Sequence, residues 1–147
     1  RKMPKYISNS VENLINKLGL KKIILVSGLS YKSNVEDMRD SASFKVINEL
    51  VSSGYEVFGY DPFFREEIIK KYLIENNLNE INFELVDNLN DSILERISCI
   101  CIVQHHDITF EQINEIYKKS KVPLIYDCQN KIKNDSNSKT ILDCLGN

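Results

Sequence analysis

Apolar residues recur along the chain in two alternating rhythms. Over residues 5 to 18, Ile7, Val11, Leu14, Ile15 and Leu18 fall at i, i+4, i+7, i+8 and i+11, one face of a helix that Gly19 closes. Ile23-Ile24-Leu25-Val26 is then a continuous apolar run ending at Ser27-Gly28, the pattern of a strand buried on both faces. The pair repeats. Ala42, Val46, Ile47, Leu50 and Val51 mark a second helix, with Ser41 as its expected N-cap and Gly54 as its stop, and Tyr55 to Tyr60 reads as a second strand ending at Asp61-Pro62. A helix over Arg65 to Asn76, a weak strand over Phe83 to Val86 and a short helix or turn over Ser92 to Arg96 follow. Ser98 to Val103 predicts a fourth strand, Phe110 to Lys119 a helix and Pro123 to Tyr126 a fifth strand. Residues 131 to 140 are polar without apolar period and read as a surface loop, followed by a short tail.

Strands alternating with helices imply right-handed crossovers and a parallel sheet covered on both faces. The expected fold class is α/β: a Rossmann-like three-layer sandwich whose five-stranded parallel sheet has the order 3-2-1-4-5, preceded by an N-terminal helix. With 147 residues and a prior of roughly 100 to 200 residues per domain, residues 1–147 are expected to form one domain. A core of that size needs no disulfide or metal staple, so the four Cys need not be cross-links. The 19 Lys and Arg against 21 Asp and Glu leave a net charge of −2, too balanced to attract nucleic acid or anionic lipid by its overall field. Any anion site must be local. No apolar run reaches the roughly 18 residues of a membrane span, and no signal-peptide pattern opens the chain. The expectation is a soluble, cytoplasmic protein, and the start at Arg1 rather than Met suggests a piece of something longer.

Ligands of open parallel sheets gather beyond the carboxyl ends of the strands, where strand order reverses. The stretch from Gly28 to Ser41 after the first strand is too long for an ordinary strand-to-helix connection, and long ordered loops are usually functional. It lacks the second and third glycines of a dinucleotide fingerprint, so a complete NAD is not expected to bind here in the usual Rossmann manner. It does hold two cations, Lys32 and Arg39, near a helix start: a mobile point charge and a rigid fork, both suited to phosphate oxygens. The alternative is that Lys32 is simply solvated and Arg39 pairs with Asp37 or Asp40.

Gly28-Leu29-Ser30-Tyr31-Lys32, then Asp37-Met38-Arg39-Asp40-Ser41, Gly54-Tyr55-Glu56-Val57 and Tyr60-Asp61-Pro62, resemble the C-terminal domain of the UDP-glucose/GDP-mannose dehydrogenases. The pattern there is a G-[LF]-[AST]-[YF]-K loop, a D-x-R-x-S element and a strand closing in Y-D-P. The resemblance runs from Met3-Pro4 through His106-Asp107 to Asp127-Cys128-Gln129-Asn130. It implies a parent polypeptide that oxidises the C6 alcohol of a UDP- or GDP-sugar to a carboxylate in two NAD-dependent steps, through a thiohemiacetal and a thioester on a catalytic Cys. That Cys, and the N-terminal domain that binds NAD, belong to other parts of such a polypeptide, so this domain by itself is expected to be inactive and to bind no cofactor of its own. By the same resemblance Lys32 contacts the nucleotide-sugar phosphates, Tyr31 lines that pocket, and Arg39 reaches the NAD held by the N-terminal domain. The implied partners are the nucleotide sugar, the remaining domains and further copies in a homo-oligomer. One departure stands out: Cys128 and Gln129 occupy the place where many members carry an Arg in D-G-R-N. Gln129 can still donate to a phosphate, without charge or fork. A different class remains open, a stand-alone module that senses a nucleotide or mediates assembly.

Cys99 and Cys101 alternate with Ile100 and Ile102 and read as small core residues rather than zinc ligands. Cys128 is the rim cysteine, a conceivable nucleophile if His105 or His106 activates it. Adjacent His105 and His106 on an extended segment point to opposite faces, which argues against one shared metal. Asp107 or Thr109 is expected to cap the next helix, Asp61 to form an Asp-Pro turn, and Cys144 to be structural.

Overall fold

A computed structural model describes residues 3–35, 37–38, 41–78 and 80–146. Its elements run α1 (Met3–Leu18), β1 (Ile23–Ser27), α2 (Ser43–Ser52), β2 (Glu56–Tyr60), α3 (Glu66–Glu75), β3 (Glu84–Leu85), α4 (Asp91–Arg96), β4 (Cys99–Ile102), α5 (Asp107–Lys118), β5 (Leu124–Asp127) and β6 (Ile141–Cys144). The strands form one sheet of order β3-β2-β1-β4-β5-β6, and every pairing is parallel.

The expected order of the first five strands holds, and the sheet has one strand more than expected. Residues 141–144, read as tail, pair with β5 from Leu124↔Ile141 to Asp127↔Cys144. An edge strand has one open side and needs no continuous apolar run, so its four residues, partly exposed, carry little pattern. Two helix starts also differ. α5 begins at Asp107, before the apolar period, because the Thr109 hydroxyl accepts the His106 N–H at 3.0 Å. The cap position of α2 falls on Ala42 rather than Ser41, although Ser41 Oγ still accepts the Ser43 N–H at 3.3 Å.

Alternation along each strand divides the core. Ile24, Val26, Val57, Cys99, Cys101, Leu124 and Tyr126 pack with residues of α1, α2 and α3, including Val11, Ile47, Leu50 and Ile69. Leu25, Phe58, Ile100, Ile102 and Ile125 pack with α4 and α5 through Ile93, Leu94, Ile113 and Tyr117. Each such side chain contributes about 1.5–3 kcal/mol by leaving water. Cys99 and Cys101 are fully buried within this core, as the strand pattern indicates. Among the described residues no helix is long and apolar enough to cross a membrane.

The order reverses at β1, with β2 on one side and β4 on the other. The chain leaves β1 and β4 toward opposite faces, which opens a crevice at their carboxyl ends. The loop after β1 therefore stands at that crevice, flanked by the ends of β2, β4 and β5.

Candidate functional site

The rim is assembled around two buried aspartates, each at the end of a Tyr-Asp pair that closes or follows a strand. Asp61, directly after β2, accepts the Leu29 N–H at 2.8 Å and the Ser30 N–H at 3.2 Å through Oδ2, and the Phe63 N–H at 2.9 Å through Oδ1. The same Oδ2 lies 3.0 Å from His106 Nε2, and both side chains are wholly buried. Asp61 is thus the anchor of the loop after β1, a larger role than the expected Asp-Pro turn. A buried carboxylate is tolerated only when donors saturate it, and here four do.

Asp127, the last residue of β5, is the second anchor. Its Oδ1 receives His105 Nε2 at 2.9 Å and the Gln129 N–H at 3.0 Å, and its Oδ2 the N–H groups of Lys131 and Ile132 at 2.8 and 2.9 Å. Burial pushes this carboxyl up, but the hydrogen bonds from His105, Ile132 and Gln129 outweigh it and hold the group below the ordinary 3.8. A depressed folded-state value means that the stabilisation is complete above the unfolded value and is lost as pH falls through the folded one. Asp127→Asn is expected to cost about 2–3 kcal/mol at pH 7 and to flatten the acid decline of stability. Acid titration followed by circular dichroism checks this; a variant as acid-sensitive as the parent below pH about 4 would count against Asp127 as the titrating group.

The adjacent histidines do point apart, His105 to Asp127 and His106 to Asp61. Neither serves Cys128, whose thiol faces Cys101 and raises the pKa of that buried group. The conceivable Cys-His nucleophile therefore has no geometric basis. No group of three His, Cys, Asp or Glu side chains among the described residues is placed to hold a metal.

The residues expected to meet a ligand fall as follows. Tyr31 is 54% exposed and Lys32 is exposed beside it, at the crest of the loop after β1. Gln129 is half-buried and turns its Oε1 inward, accepting the His105 N–H at 2.8 Å and Gln104 Nε2 at 3.3 Å. That leaves its Nε2 as the side-chain donor. Arg39 lies outside the described residues. Both loops hang on the end of β4: His106 holds the loop of Tyr31 and Lys32, and His105 and Gln104 hold that of Gln129. Beside Gln129's loop is a hollow of about 570 Å3 whose lining includes His105, His106, Phe110, Lys131 and Lys133; Tyr31, Lys32 and Gln129 are not part of that wall.

The hydrogen bonds that tie His106 to Asp61 and Asn34, and His105 to Asp127, escape a reading by motif. One signal was available: Gly-Tyr-Asp at 59–61 and Ile-Tyr-Asp at 125–127 repeat an acidic residue at a strand's carboxyl end, where loop amides converge.

Comparisons with known proteins identify the family and support the fold. The model of the UDP-glucose/GDP-mannose dehydrogenase family, UDP binding domain, matches residues 25–134. A UDP-N-acetyl-D-mannosamine dehydrogenase of Methanococcus vannielii is 34% identical over 133 residues, covering 88% of this chain and 28% of that protein. A UDP-glucose 6-dehydrogenase of Rhizobium meliloti is 28% identical over 116 residues, covering 79% of this chain and 25% of that one. The crystal structure of an NDP-N-acetyl-D-galactosaminuronic acid dehydrogenase from Methanosarcina mazei superposes with a TM-score of 0.71 at 19% identity, over 99% of this chain and 29% of the other. This chain spans about a quarter of the length of such relatives. Its long loop after β1, its Tyr-Asp-Pro strand end and strands β2 to β5 all lie within the matched segment, and the chain belongs to the UDP-glucose/GDP-mannose dehydrogenase family, corresponding to that family's UDP binding domain.

Proposed function

We propose that this chain supplies the nucleotide-sugar site of an NAD-dependent nucleotide-sugar 6-dehydrogenase, a larger enzyme whose cofactor domain and catalytic Cys lie in other domains. Lys32 meets the diphosphate as a point charge, Tyr31 borders the same pocket, and Gln129 donates from Nε2 where a cation is more usual in the family. The observation that carries this reading is the loop after β1. Its underside is saturated by Asp61 and His106, while Tyr31 and Lys32 are left exposed at the switch-point crevice.

The described residues do not fit NAD in the Rossmann manner. The acidic side chain after β2 that would hold a ribose is Asp61, which is wholly buried and already saturated, and Gly28 is the loop's single glycine. In this reading NAD sits on another domain, Arg39 reaches toward it, and the chain contributes binding and no catalytic group. The other domains and a homo-oligomeric assembly complete the enzyme. Calorimetric titration with UDP tests the site. Lys32→Ala is expected to weaken binding about tenfold or more, the usual loss for one charge-assisted contact. Absence of binding by the parent chain at millimolar UDP would sink the reading.

A further inference from the structure

His106 does more than occupy space under the loop. Its Nδ1 lies 2.7 Å from the Asn34 N–H, and a backbone N–H can only donate, so Nδ1 is unprotonated. Its Nε2 lies 3.0 Å from Asp61 Oδ2 and 3.2 Å from Ser30 Oγ. Asp61 is an acceptor for two amides at that same oxygen, and the Ser30 hydroxyl donates to the Lys32 carbonyl at 3.0 Å. The ring proton therefore sits on Nε2, shared between Asp61 and Ser30, and the partners assign one neutral tautomer. Asn34 closes the circuit: its Oδ1 accepts the Asp107 N–H at 2.9 Å, and its positive φ of 60° is a conformation that Asn tolerates better than most residues. The Phe63 ring covers the imidazole, with centroids 4.6 Å apart.

The loop thus grips the two nitrogens of one buried ring, Ser30 at Nε2 and Asn34 at Nδ1, and the residues between these grips include Tyr31 and Lys32. The geometry points to His106, in its Nε2–H form, as the positioning residue that sets Tyr31 and Lys32 toward the ligand. This inference rests on the nucleotide reading for what the ligand is, and on the hydrogen bonds alone for what the ring does.

An amide side chain can reproduce one nitrogen at a time: Asn places an acceptor near Nδ1, and Gln a donor near Nε2. Hydrogen exchange of the Asn34 amide is measured by NMR in the full 147-residue chain and in His106→Asn, His106→Gln and His106→Leu. Slow exchange is expected for the parent and His106→Asn, and fast exchange for His106→Gln and His106→Leu. UDP affinity is expected to fall about five- to tenfold in His106→Gln, the effect of one lost hydrogen bond, and less in His106→Asn. Because the ring acts in part through Lys32, the same substitutions made on Lys32→Ala are expected to lower UDP affinity by a smaller factor than they do alone. Equal Asn34 exchange in the Asn and Gln variants, or additive losses with Lys32→Ala, would overturn the assignment. If the parent chain does not bind UDP, the nucleotide reading falls and the exchange contrast alone decides the role of His106. Should His106→Leu fail to fold, the Asn and Gln pair still carries the test.

Discussion

Gly28→Ala is expected to destabilise the chain by more than about 4 kcal/mol, a large share of the roughly 5–15 kcal/mol that keeps a typical domain folded. A Cβ at this position would lie 2.1 Å from the Gln104 carbonyl oxygen and 2.8 Å from its carbonyl carbon, both backbone atoms. The segment cannot back away easily. The Gly28 N–H is bonded to the Tyr60 carbonyl at 2.9 Å, and its carbonyl accepts the Ser43 hydroxyl, so β2 and α2 hold it from two sides. A control separates this clash from the cost of the left-handed conformation. Gly54 has φ +88°, close to the +89° of Gly28, yet a Cβ added there would meet nothing within 4 Å. Gly54→Ala should therefore lose only about 1–2 kcal/mol. Urea unfolding of both variants makes the comparison; equal losses would show that the approach of Gly28 to Gln104 is not what requires glycine there.

Asp61→Ala is the second large effect, about 3–5 kcal/mol. Removing the carboxylate strands the N–H groups of Leu29, Ser30 and Phe63 together with His106 Nε2, in a place where the native side chain has no exposure. Asp61→Asn should lose less, since one oxygen can still accept, but its NH2 then faces donors. The discriminating measurement is local. Exchange of the Leu29 and Ser30 amides should rise in Asp61→Ala even under conditions where the sheet stays folded, because the loop is released before the core. Protection of those two amides equal to that of the parent would mean that the loop is held by something other than Asp61.

The inner strands that the sequence shows most plainly share a physical property: each has a side-chain pattern enforced on both sides. β1, β4 and β5 are covered by helices on two faces, so Ile23 to Val26, Cys99 to Ile102 and Leu124 to Tyr126 are almost continuously apolar. β6 lies at the edge and is not. The candidate site divides the same way. Lys32 is conspicuous because a long loop carries a cation beside a strand end. Asp61 and His106 read in the sequence as local features, a turn former and a neighbour of a helix start, because a sequence shows only what is adjacent. Ser30 and His106 are 76 positions apart, Asn34 and His106 72, and Asp61 and His106 45.

Sequence by itself determined the class of fold, the order of the first five strands, the long loop after β1 and, through its ordered motifs, the family. These depend on periodicity and on residue type at consecutive positions. Tertiary structure decided the sixth strand, the inward turn of Gln129 and the use of two strand-end aspartates as anchors. It also decided the single protonation form of His106. Those outcomes depend on which loops meet at the carboxyl ends of the sheet. A hydrogen bond between distant residues leaves no period in the chain that makes it.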